Sequence, residues 1–171
     1  MSKILEIEDY FEQQKSPEAI IASLKQLDLD YLAEPDSPEA FANICNYLTL
    51  CAMEDIKIDT AVFNMQGKAI SKEDLAKMNA GNFNEVAEGC LFISLRSEED
   101  GRNYLPVFTS PSEYRELSGT YPIQASLSLL ISYVYCVEGV DGLIIDPYSD
   151  AVIIDKDNVE LMIELLQNQA S

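Results

Sequence analysis

The stretch Gly142-Leu-Ile-Ile-Asp-Pro-Tyr-Ser-Asp-Ala-Val-Ile-Ile-Asp-Lys-Asp-Asn-Val-Glu160 decides the class of this fold. Gly142-Leu-Ile-Ile145 and Ala151-Val-Ile-Ile154 are short β-branched runs. Between them, Asp146-Pro-Tyr-Ser-Asp150 supplies a turn, because proline fixes φ and aspartate hydrogen-bonds its own backbone. The two runs therefore pair as strands. Asp157-x-x-Glu160 then has the form of a capping box with Asp157 as N-cap, and Leu161, Ile163, Leu165 and Leu166 continue a terminal helix. Strand, turn, strand and helix in one short stretch imply an α+β architecture.

Working outward, Ile123 to Val137 is apolar on nearly every side. It is too short to cross a bilayer and longer than a usual strand, and Gly139 sits where a helix C-cap would. The expectation is a helix buried on most of its circumference. Cys90-Leu-Phe-Ile-Ser-Leu-Arg96 and Tyr104-Leu-Pro-Val-Phe-Thr109 flank a link ending in Asp100-Gly101-Arg102, which reads as a β-hairpin. Pro106 cannot donate to a ladder, so its strand should lie at an edge or carry an irregularity there. Upstream, Ala61-Val62-Phe63-Asn64-Met65 reads as a strand, and Ser71-x-x-Asp74 opens a short helix through Met78, followed by a polar loop from Asn79 to Glu88.

Ser16-Pro17-Glu18, Ser37-Pro38-Glu39 and Ser110-Pro111-Ser112-Glu113 are three helix start signals. Serine accepts a free N–H of the first turn, proline has none to lose there, and glutamate favours the positive end of the dipole. Ile20, Leu24, Leu27 and Tyr31 follow the first at helical spacing, and Phe41, Ile44, Leu48 and Cys51 follow the second. The short Glu34-Pro35-Asp36 link makes them an antiparallel hairpin. The expected organisation is a helical extension over 1–55 and an α+β domain over 56–171, with a small mixed or antiparallel sheet of about five strands and packed helices.

Composition removes several function classes. Eleven Lys plus Arg against thirty Asp plus Glu give a net charge of −19 over 171 residues. Such a surface repels phosphate backbones and anionic head groups, which argues against nucleic acid and membrane partners. There is no histidine, so imidazole bases and His-ligated metals are excluded within this chain. Cys45, Cys51, Cys90 and Cys136 lack C-x-x-C spacing and lie in apolar surroundings, as reduced buried thiols do. The first residues meet acidic groups before any h-region could form, and no later run approaches the roughly 20 apolar residues of a membrane span. A cytoplasmic protein is expected.

Two motifs carry a resemblance. Tyr104-Leu-Pro-Val-Phe-Thr-Ser110 and Gly139-Val-Asp-Gly-Leu-Ile-Ile-Asp-Pro-Tyr148 resemble the amino-terminal domain of the SseB-like family, named for enhanced serine sensitivity, whose marks are a "y-x-P-v-F-T" and a "G-x-x-G-l-v-I-N-P" strand. The likeness spans roughly Thr60 to Gln167 and leaves out 1–55. Asp146 stands where the family has Asn, and Tyr148 where it has Phe. The resemblance implies a bacterial, cytoplasmic α+β domain with no established activity and no catalytic residues to carry over.

Candidate sites have plain alternatives. Asp141, Asp146, Asp150, Asp155 and Asp157 invite a divalent metal, but turn and cap roles explain their spacing better, and no EF-hand loop is present. Glu98, Glu99 and Asp100 occupy the hairpin tip, where a solvated turn is the simpler reading. Cys90 and Cys136 have no imidazole to activate them. The glycines form no phosphate cradle, so no cofactor is implied. Tyr104, Tyr114, Tyr121 and Tyr148 with Phe108 gather around the two motifs; they either pack the core and its rim or form a partner-facing aromatic patch. The leading expectation is a non-enzymatic protein-interaction module whose partner is another protein, a basic one by charge complementarity. Its rivals are an acidic chaperone or immunity protein that shields a secreted effector or toxin, and a metal-dependent hydrolase using Asp141 to Asp157.

Overall fold

The computed structural model describes residues 16–82, 85–86, 88–114 and 119–170. Its elements are α1 (Pro17–Ala33), α2 (Pro38–Met53), β1 (Lys57–Asn64), α3 (Lys72–Asn79), β2 (Cys90–Phe92), β3 (Leu95–Arg96), β4 (Asn103–Val107), β5 (Thr120–Ser126), α4 (Leu127–Cys136), β6 (Gly142–Ile145), β7 (Val152–Asp155) and α5 (Lys156–Ala170). The class is α+β. The first fifteen residues of the expected helical extension lie outside the described residues.

The start signals act as serine caps in two of three cases. Ser16 accepts from Ala19 N and Ser37 from Ala40 N, each followed by proline. Ser71 caps α3 in the same way through Asp74 N. Ser110 makes no cap bond, and Pro111–Glu113 is a single 3-10 turn rather than a helix. The terminal helix begins two residues earlier than its sequence suggests: Asp155, not Asp157, accepts from Asn158 N and opens α5.

Where one sheet of about five strands was expected, there are two. β2-β1-β5 is antiparallel throughout, whereas β3-β4-β6-β7 is mixed, with β4 and β6 parallel. The expected strand from Cys90 to Arg96 is the reason. It breaks after Phe92, so β2 pairs with β1 while β3 pairs with β4. Ile93 N, at the break, donates to Ala61 O and keeps the crossing segment tied to β1. A second tie joins the sheets where Phe108 N donates to Asp59 O.

Pro106 sits on an interior strand, not an edge. Val107 O accepts from Asp146 N, so odd-numbered residues of β4 bond towards β6 and the missing N–H of Pro106 faces the other way. On that side β3 has already ended at Tyr104, and Thr60 Oγ1 donates to Pro106 O at 2.7 Å. Proline is tolerated because the ladder is locally absent there.

The apolar run expected as one helix is divided. Thr120–Ser126 is the edge strand β5, and α4 starts only at Leu127, capped by Ser126, which accepts from Leu129 N. Ile123 and Ala125 face the core while Pro122 and Gln124 face outward, a period-2 pattern ahead of the helical one.

A single core joins all layers. Leu24, Leu27, Ile44, Tyr47 and Leu48 from the hairpin lie in the same cluster as Leu105, Leu130, Leu143, Ile154 and Met162. α2 packs on α1, α4 and α5. Tyr47, wholly buried, donates its hydroxyl to Ile20 O at 3.1 Å, so its polar tip is satisfied between the two helices. With each fully buried leucine or isoleucine contributing about 1.5–3 kcal/mol, the hairpin is an integral layer of the core rather than an appendage.

Candidate functional site

The two sequence motifs meet because β4 and β6 are parallel neighbours whose carboxyl ends lie side by side. Thr109, just past β4, donates its N–H to Asp146 Oδ1 at 2.9 Å and its hydroxyl to Oδ2 at 2.7 Å. Asp146, just past β6, has φ +50, a conformation that Asn and Asp tolerate better than other non-glycine residues. Its side chain is completely buried. Gly142 has a different origin: a Cβ there would lie 2.3 Å from Ile154 O on β7.

Lys25 of α1 supplies the charge that Asp146 needs. Its Nζ lies 2.8 Å from Asp146 Oδ2, 3.2 Å from Asp150 and 3.8 Å from Glu113. Burial acts to lower the lysine pKa, but the bonds and charges of Asp146, Asp150 and Glu113 outweigh it and hold it above the ordinary value. One ammonium thus ties α1, the 3-10 turn and the loop after β6. Ser149 Oγ adds a bond to Glu113.

Asp28, one turn along α1 from Lys25, is fully buried, and neither carboxyl oxygen has a hydrogen-bond partner. Burial, then the neighbouring charges of Asp146 and Asp150, push its pKa up to about 8 against the opposing pull of Lys25. It therefore carries a proton at neutral pH.

Beside this cluster lies an aromatic trio. Phe108 is 1% exposed, with Tyr114 edge-on at 5.5 Å and Tyr148 stacked at 6.4 Å. Tyr114 and Tyr148 are half-buried. Tyr114 shares a 2.8 Å hydroxyl contact with Thr120. Tyr104 is 2% exposed and donates to Asp100 at 2.7 Å, away from the trio. Of the expected partner-facing patch, Tyr104 and Phe108 are buried, because β4 and the residue just past it are covered on both faces; Tyr114 and Tyr148 are half-buried.

Next to Phe108 and Tyr114, two adjoining clefts of about 370 and 590 Å³ share Asp59, Pro111 and Gln124. The first is floored by Ile21, Ile58 and Phe108, the second by Ile123 and Tyr114. Asp59 is half-buried opposite Gln124 on β5, whose side chain bonds it; burial raises its pKa and that bond works against the rise.

The five aspartates suggested as a metal set are dispersed. Asp141 accepts from Asn103 N, Asp155 caps α5, and only Asp146 and Asp150 converge, on Lys25. Among the described residues, no group of three or more Cys, Asp or Glu side chains is arranged to hold a metal ion. None of their helices is long and apolar enough to cross a membrane.

Comparison with known proteins gives little to set beside this geometry. No family model matches the chain, and no solved structure matches it. The chain is 25% identical over 101 residues to capsid protein VP1 of murine minute virus (strain MVM prototype). That alignment covers 59% of the chain but 13% of the capsid protein. A likeness this partial shows no family.

Sequence reasoning missed Lys25, Asp28 and Asp59. Lys25 and Asp28 sit on a helix read only for its apolar stripe, three residues apart and hence on one face. The available signal was an aspartate four residues after Leu24, at a position of the apolar stripe. Asp59 lies in the stretch that turns strand-like from Ile58, and nothing in its neighbours marked it as more than one polar position of that alternation.

Proposed function

We propose that this chain is a non-enzymatic protein-interaction module of SseB-like type that binds a protein with a basic surface. The observation that carries this reading is the pair of half-buried tyrosines, Tyr114 and Tyr148, packed against buried Phe108, with Glu113 and Asp150 next to them in the chain. Tyrosines held in place lose little entropy on binding, and their faces and adjoining carboxylates both attract lysine and arginine. The net charge of −19 favours encounter with a cationic partner. The SseB-like reading draws support from the two motifs, whose Gly142 and Asp146 have specific backbone duties and whose ends are joined through Thr109.

The test is quantitative co-purification from the native cell with the intact chain and with Tyr148→Ala combined with Asp150→Asn. The expected result is a discrete protein whose recovery falls at least tenfold with the double variant and falls as salt rises. Equal recovery by both proteins, with circular dichroism confirming the variant's fold, would sink the proposal.

A further inference from the structure

We propose that the groove centred on Asp59 receives an arginine side chain carried by an extended basic segment of the partner protein. This rests on the protein-interaction reading above and names the chemistry that the partner must bring.

Asp59 lies at the junction of the two clefts and lines both. An ionised carboxylate offers about four acceptor positions, and the side chain of Gln124 occupies one. Among the described residues no ammonium or guanidinium pairs with Asp59: the nearby Lys57 instead donates to Asn79 O. The contrast with Asp146 is direct. Both are buried or half-buried carboxylates beside Phe108, yet Asp146 has an internal cation and Asp59 has none. Holding a charge partly out of water costs free energy that an arriving cation recovers.

The walls favour arginine over lysine. Pro111 lines both clefts and half-buried Tyr114 lines the second, so apolar surface lies close to the carboxylate, with buried Phe108 beneath the first. A guanidinium is weakly hydrated, stacks on such surfaces and can meet a carboxylate with two parallel N–H donors, whereas an ammonium is a compact hydrated charge. The clefts adjoin and draw their lining from α1, β1, β5 and the end of α3, a continuous groove open to an extended segment, and Glu18 adds a second negative group to the first of them.

The test uses the full chain, isotope-labelled for NMR, and a blocked peptide with one arginine flanked by glycine and serine, at about 0.1 M salt. Its counterpart carries citrulline, which keeps the shape and loses the charge. The arginine peptide should shift the amide signals of Asp59, Ile123, Gln124 and Tyr114, with the citrulline peptide at least tenfold weaker. Asp59→Asn should weaken the arginine peptide about tenfold. Gln124→Ala, an outward-facing change on an edge strand, should weaken it less. Equal binding of the two peptides, or unchanged binding to a folded Asp59→Asn protein, overturns the groove. Shifts confined to Tyr148 and Asp150 also overturn it, while leaving the broader interaction reading to stand on its own co-purification result.

Discussion

Replacing Asp28 with Asn should stabilise this protein at neutral pH and destabilise or leave it unchanged in mild acid. Asp28 titrates near 3.8 when unfolded and at about 8 in the folded chain, because burial and the charges of Asp146 and Asp150 disfavour its ionised form. Between those values the folded state holds one more proton than the unfolded state. Stability therefore falls as pH rises through that window, by about 1.4 kcal/mol per pH unit from this group alone, and the loss ends above about pH 8. From pH 3.8 to pH 7 the accumulated cost is about 4 kcal/mol. Asparagine is neutral throughout and escapes it. The amide still has no partner in that site, which costs about 1–3 kcal/mol, so the expected net gain at pH 7 is about 1–3 kcal/mol. Urea unfolding followed by far-ultraviolet circular dichroism at pH 5, 6, 7 and 8 measures both proteins. The many other carboxylates affect both alike, so the difference between the curves isolates Asp28. It should grow in favour of Asp28→Asn by roughly 1 kcal/mol per unit from pH 5 to pH 7. Parallel curves would refute the argument, since they would mean that Asp28 keeps an ordinary carboxylate's proton affinity when folded.

Two further expectations concern the backbone and the thiols. Gly142→Ala places a methyl 2.3 Å from Ile154 O and 2.9 Å from Asp155 Cα, so β6 and β7 must separate. A loss of about 2 kcal/mol or more in urea unfolding is expected, and a cost under about 0.5 kcal/mol would contradict the close approach. Cys136 is exposed, whereas burial pushes the thiols of Cys45 and Cys51 up to about 12. A thiol reagent at pH 8 should modify Cys136 first and reach Cys51 only on unfolding; mapping the label by mass spectrometry checks the order.

Much of the element order was legible because it rests on local chemistry. Ser16 and Ser37 ahead of proline, the Asp100-Gly101 turn and the β6–β7 pair are each specified by neighbouring residues. What failed to show depends on distant partners. The break after Phe92 arises because β1 and β4 compete for one strand, and nothing within Cys90–Arg96 marks which residue goes to which sheet. Ser126 carried a readable cap signal, but the largely apolar run around it masked the change of period. Thiol burial was overestimated for the same reason: Cys136 ends an apolar helix yet lies on its open side. At the site, the aromatic residues drew notice by type, while Lys25, Asp28 and Asp59 gain their importance only from charges brought to them by other elements.

The docking of α2 on α5 sets a timetable for synthesis. α2 ends at Met53 and the α5 residue Met162 lies in the same core cluster, more than 100 residues later. At about 5–20 residues per second, the ribosome needs on the order of 5–20 s to deliver that partner. During this interval α1 and α2 emerge with an oily flank uncovered, so nascent-chain chaperones would meet this protein through these two helices.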